Sequence, residues 1–221
     1  MEFGGDVEFR TEMPDTEGPA VAHLLLTHGA SQPMTSRFFA TLVPMLLARG
    51  VAVTRFEFAY MRQIRVSGKR RPPPKIVTMF PELREAVNAI RTQIGPKPKL
   101  LVGGKSMGGR IASMMSDEFF QAGQIAGVVC LGYPFHPPRR PESLRTAHLE
   151  GLRCPALIVQ GERDPFGTRQ DVAGYALSPS IAVSWIGDGD HDFGPRGSSG
   201  FTRKGNHAEA ADAIAGFAAQ V

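Results

Sequence analysis

Cysteine is nearly absent. Cys130 and Cys154 are the two in 221 residues, which excludes a disulfide framework and a cysteine-built metal cluster. Cys130 lies inside an apolar run and reads as an inert buried thiol. No apolar stretch approaches the length that crosses a bilayer, and the start Met1-Glu2-Phe3-Gly4-Gly5-Asp6 has neither the basic nor the apolar region of a signal peptide. A cytoplasmic chain with no membrane partner is expected. Long runs of one charge are also missing: 25 Lys and Arg against 21 Asp and Glu leave a net charge of +4. Without an aromatic stacking pattern, that excess does not point to nucleic acid. Repeats and linker-like segments are lacking too, so residues 1–221 are expected to form a single domain.

What the chain does have is short apolar runs alternating with helical patterns. Residues 20–27 (AVAHLLLT) read as a strand buried on both faces and 125–131 as another buried strand, with further strands at 51–58 (VAVTRFEF), 155–160 (PALIVQ) and 181–186. Val7, Phe9 and Arg10 suggest a short edge strand. Helical spacing covers 37–49, stopped by Gly50, and 76–94, closed by Gly95-Pro96; an alanine-rich helix covers 208–221. Residues 59–75 carry Tyr60, Met61, Arg62, Arg65, Lys69, Arg70 and Arg71 before Pro72-Pro73-Pro74, and read as a proline-stiffened basic loop. This order predicts an α/β fold whose mostly parallel sheet has helices on both faces.

One stretch carries chemistry. The apolar run from Leu100 ends in Gly104-Lys105-Ser106-Met107-Gly108, a G-x-S-x-G sequence, and Ile111, Ala112 and Met115 continue it at helical spacing. A serine on a sharp strand-to-helix turn needs neighbours without side chains, which Gly104 and Gly108 provide. The helix that follows points backbone N–H groups at the reaction centre, so Met107 N–H is one oxyanion donor and Ala30 N–H, from His28-Gly29-Ala30, the candidate second. With 25 glycines the pentapeptide alone is weak.

Partners strengthen it. Ligands gather at the carboxyl ends of strands in open α/β sheets, and three such ends present Ser106, Asp164 and His191 in that order. A serine hydroxyl needs a histidine base, and the histidine needs a carboxylate to fix its tautomer. Glu162 competes with Asp164, which is favoured because Pro165 follows it in the turn. Asp190 and Asp192 are expected to hydrogen-bond their own loop backbone, and His207, at the start of the last helix, to lie on the surface. His28 precedes the serine and reads as a loop-orienting residue. His136 and His148 precede Asp164, which disfavours both as the base; His136 remains a pocket candidate beside Tyr60, Arg70 and Arg71. Lys105 is expected to point away from Ser106.

These motifs, with Thr27-His28-Gly29-Ala30, Arg55-Phe56-Glu57-Phe58-Ala59-Tyr60-Met61, Gly68-Lys69-Arg70-Arg71-Pro72-Pro73, Gly103-Gly104-Lys105-Ser106-Met107-Gly108-Gly109-Arg110, Tyr133-Pro134-Phe135-His136-Pro137-Pro138 and Asp190-His191-Asp192-Phe193, resemble the α/β-hydrolases. More narrowly they resemble the small lidless branch containing the testis-expressed Tex-type proteins and the hydrolase-like domain of an NSL chromatin-complex subunit. The resemblance implies an α/β-hydrolase fold with a minimal cap and Ser106, Asp164 and His191 as a triad. It also implies kinship with dienelactone-hydrolase-like proteins, whose nucleophile is cysteine where this chain has serine. The expectation is a serine hydrolase acting on a small-molecule carboxylic ester or thioester, without cofactor or metal. The alternative is a binding or scaffold module on the same fold. Lys69, Arg70, Arg71, Arg139 and Arg140 are expected to form a basic rim if their two loops converge on the serine.

Overall fold

Seven strands carry the fold of this computed structural model, which describes residues 8–15 and 18–221. They are β1 (Phe9–Glu12), β2 (Ala22–Thr27), β3 (Val51–Phe56), β4 (Leu100–Lys105), β5 (Gly127–Leu131), β6 (Ala156–Gly161) and β7 (Ile181–Ile186). Their order across the sheet is β1-β3-β2-β4-β5-β6-β7. All neighbouring pairs are parallel except β1 with β3. Every residue of β2 to β6 is buried, which is why their sequences are apolar without alternation. β7 closes the far edge and is only partly covered. Val7, part of the expected edge strand, lies outside the described residues.

Six helices flank the sheet: α1 (Arg37–Leu47), α2 (Ala59–Ser67), α3 (Phe80–Ile94), α4 (Met107–Gln121), α5 (Arg169–Val172) and α6 (Arg203–Gln220). α1 and α6 cover the face carrying Leu24, Leu26, Val53 and Leu101. α3 and α4 cover the face carrying Leu25, Val102, Val128 and Cys130. Adjacent residues of one strand thus feed opposite cores, as the strand period requires. Among the described residues no helix is long and apolar enough to cross a membrane.

Two elements differ from expectation. Residues 59–67 are helical, not a loop. Tyr60, Met61 and Ile64 pack on the core, Glu82 accepts a 2.7 Å hydrogen bond from Ala59 N–H at the helix start, and Gly68 closes it at φ 66°. The apolar stripe is short and its stabilising carboxylate comes from α3, so the basic composition hides it. The last helix begins at Arg203, where the Thr202 hydroxyl accepts from Gly205 N–H. His207 is therefore one turn inside the helix and buried, not on the surface.

The chain order of the sheet decides where a site can form. From β2 the chain moves outward to β3, then returns to β4 on the other side of β2. This reversal opens a crevice at the carboxyl ends of β2 and β4. Thr27 stands opposite Gly104 and Lys105 opposite Leu131, so the loops after β2, β4 and β5 leave the sheet side by side.

Candidate active site

Ser106 occupies the turn between β4 and α4 at φ 51°, ψ −112°, a backbone conformation unfavourable for any residue with a Cβ. Its N–H donates to Leu131 O at 2.9 Å, which ties the turn to the end of β5. The surrounding glycines are sterically required. A Cβ at Gly104 would lie 2.1 Å from Thr27 Oγ1, and one at Gly108 would lie 2.2 Å from the same atom. α4 starts at Met107, so the first free N–H groups of this helix stand beside the serine. Gly29 is under no such demand, since a Cβ there would meet Lys105 and Ser106 at ordinary contact distances of 3.7 and 3.9 Å.

Asp164, fully buried after β6, accepts a 2.7 Å hydrogen bond on Oδ2 from His191 Nδ1. Gln160 Nε2 donates to the same oxygen at 3.1 Å and Phe166 N–H donates to Oδ1 at 2.9 Å. The carboxylate is thereby held in one orientation, and His191 is held by Nδ1 with Nε2 free. The Phe166 ring lies 4.4 Å from the His191 ring, centroid to centroid, and also lines the cleft over Ser106. A Cβ at Gly132, which has φ 62°, would come within 3.2 Å of His191 Nδ1 and 3.1 Å of Lys105 Nζ. Glycine at the end of β5 thus lets the histidine loop approach the serine turn. Among the described residues the Ser106 hydroxyl is not hydrogen-bonded to His191; such contacts commonly tighten only with substrate bound.

The other ionisable groups have separate tasks. Lys105 Nζ is 3.3 Å from Asp192 Oδ1 and 5.4 Å from the Phe38 ring centroid, and burial lowers its pKa. It is directed away from the cleft, as expected of a residue adjacent to Ser106. Asp190 accepts from the Asp192 and Gly194 N–H groups and so shapes its loop; Asp192, expected to do likewise, pairs with Lys105. His28 Nε2 accepts from Phe58 N–H at 3.1 Å, so its proton sits on Nδ1, which donates to Gly29 O at 2.7 Å. Burial lowers its pKa, and it joins the loop after β2 to the loop after β3.

A cleft of about 270 Å³ opens over Ser106, lined by Ala30, Met107, Arg110, Arg145 and Phe166 together with Pro73, Pro74, Ile76 and Pro134. Of the expected pocket residues, none of the four lines it. Tyr60 lies buried behind the wall, its hydroxyl donating to Ala30 O at 3.0 Å and contacting Met107 Sδ at 3.9 Å. Burial raises its pKa, so it stays a neutral donor. Arg70 is exposed, and Arg71 lines a different groove beside Arg62 and Arg65. His136 is buried, with Nδ1 bonded to Pro137 O and Nε2 3.8 Å from Asp171. Arg110, Arg145, Phe166 and Gln160 were not legible as site residues. Only the spacing of Arg110, one helical turn after Ser106, gave any signal.

A mostly parallel sheet reversing direction at β2, with a strained serine between β4 and α4 and a histidine–aspartate pair from the ends of β6 and β7, defines the alpha/beta hydrolase class. The family model described as an alpha/beta hydrolase domain matches residues 20–219, and the chain belongs to that family. A dienelactone hydrolase from Anabaena variabilis superposes with TM-score 0.68 at 19% identity, over 99% of this chain and 91% of that one. The esterase domain of a Rhodothermus marinus protein gives 0.66 at 19% identity, over 98% and 94%. XC6422 from Xanthomonas campestris, a serine hydrolase without a lid, gives 0.64 at 16% identity, over 85% and 81%. At these identities the likeness is one of fold. The segment after β5, residues 132–155, likewise contains turns only.

Proposed function

We propose that this protein is a serine hydrolase that cleaves carboxylic ester or thioester bonds by acyl transfer. The observation that carries the reading is the buried Asp164 carboxylate bonded to His191 Nδ1 at 2.7 Å beside a serine held at φ 51°. Ser106 Oγ attacks the acyl carbon while His191 Nε2 takes its proton, and Asp164 stabilises the resulting imidazolium. The oxyanion forms against Met107 N–H and Ala30 N–H, and the Tyr60 hydroxyl on Ala30 O holds the second donor's loop. His191 then protonates the alcohol or thiol as it leaves. Water, deprotonated by the same nitrogen, releases the acid and restores Ser106. No step calls for a cofactor.

Resemblance to an esterase domain and a dienelactone hydrolase supports the hydrolytic class. A fluorophosphonate probe tests the reading directly. Wild-type protein is expected to label, and Ser106→Ala and His191→Ala to lose labelling while keeping the wild-type circular dichroism spectrum. A folded wild type that does not label would overturn the reading in favour of a binding module on a hydrolase fold.

A further inference from the structure

Two guanidinium groups line the serine cleft with no acid to neutralise them. Arg110 is one helical turn after Ser106 on α4, and Arg145 arrives from the segment after β5. Arg145 is placed by its backbone: its N–H donates to Phe135 O and its carbonyl accepts from the Tyr133 hydroxyl, both at 2.8 Å. Both side chains are half-buried. Arg110 Nε is fully buried without a hydrogen-bond partner. Among the described residues neither guanidinium makes a side-chain hydrogen bond or an ion pair. Burial, then the Arg110 charge, pulls the Arg145 pKa down, so the two cations repel each other.

Several other arginines are neutralised by an acid. Arg49, Arg55, Arg65, Arg84, Arg163 and Arg196 each meet a carboxylate. The cleft supplies none; every other residue lining it is apolar except Ser106. Two adjacent half-buried cations without counter-charge cost stability, and an anionic ligand removes that cost. Guanidinium forks match the oxygens of carboxylates and phosphates. The basic rim read from sequence is elsewhere: Lys69, Arg70, Arg71, Arg139 and Arg140 are exposed and do not line the cleft.

Resting on the serine-hydrolase reading, we propose that Arg110 and Arg145 form an oxyanion-binding subsite, and that the substrate is an ester or thioester bearing a carboxylate or phosphate. Binding and turnover test it separately. Ser106→Ala protein, which cannot turn over, is titrated calorimetrically with monophenyl glutarate, with phenyl pentanoate, and with the butyrate ester of 4-hydroxyphenyl phosphate. At least one anionic ester is expected to bind about tenfold or more tightly than the neutral one. Adding Arg110→Met or Arg145→Met should bring that ratio close to one, and Arg110→Lys should restore part of it. The two anionic ligands distinguish a charge on the acyl side from one on the leaving group. Both arginine variants should melt at or above the parent temperature, since each removes an unpaired cation; a clear fall would mark the arginines as structural and overturn the proposal. Equal binding of all three esters, or no binding of either anionic one, would also overturn it. Hydrolysis of phenyl pentanoate by wild type alongside such a result would leave the hydrolase reading intact. Absence of fluorophosphonate labelling with anion binding preserved would instead defeat the hydrolase reading and keep the subsite.

Discussion

Ser106 is held in a conformation that its own side chain disfavours. A non-glycine residue at φ 51°, ψ −112° costs on the order of 1–3 kcal/mol, and the ladder bond from Ser106 N–H to Leu131 O helps hold it there. Ser106→Gly is therefore expected to melt higher than Ser106→Ala, both lacking the Ser106 hydroxyl; equal melting temperatures would contradict a strained turn. Gln160 sits behind the site, with Nε2 donating to Asp164, Tyr133 O and Gly167 O while Oε1 accepts from Tyr133 N–H. Gln160→Ala strands several buried polar groups at about 1–3 kcal/mol each. It is expected to lower both the unfolding midpoint and the kcat of the proposed hydrolysis, and unchanged values of either would remove Gln160 from the support of Asp164.

At the scale of elements, the strand-turn-helix around the serine was readable because its constraints are local. Gly104 and Gly108 stand two residues either side of Ser106, and a methyl at either would strike Thr27 near 2 Å. Gly108→Ala is expected to fold poorly, measured as loss of soluble protein or of the cooperative unfolding transition. α2 was not readable. Its apolar stripe is only Tyr60, Met61 and Ile64, set among arginines, and the carboxylate at its start is Glu82 from another helix. Because Gly68 ends α2 in the left-handed region, Gly68→Ala should destabilise the protein by about 1 kcal/mol, checked by urea denaturation.

At the scale of the whole molecule, four histidines are held below their usual pKa, by burial first: His23, His28, His207, and His148, which is lowered to about 4. The Arg110 charge adds to the effect on His148. A base whose folded pKa lies below its unfolded value, near 6.5, leaves the unfolded chain binding more protons in between. Stability is then complete above about pH 6.5 and declines as pH falls toward 4. The urea midpoint should drop steadily over that window. His148→Gln should flatten part of the decline, keeping a partner for Ser113 Oγ, which lies 2.9 Å from His148 Nε2. A midpoint constant across the window would contradict this linkage.

The sequence by itself determined the class of the fold, because fully buried parallel strands must read as unbroken apolar runs, and helices must fall between them. It also placed Ser106, Asp164 and His191 after strand ends, which converge in such a sheet, and of these the structure joins Asp164 and His191 by a hydrogen bond. His28 and Asp190 were legible as loop-shaping residues for the same local reasons. Only the tertiary structure decided which cations face the serine. Arg70, Arg71, Arg139 and Arg140 form the conspicuous charge in the sequence yet are exposed away from the cleft. Arg110 and Arg145, separated by 35 positions with nothing in common locally, are brought together by α4 and by the backbone bonds at Tyr133 and Phe135. Charge can be counted along a chain, but whether a carboxylate meets it depends on distances that packing alone sets.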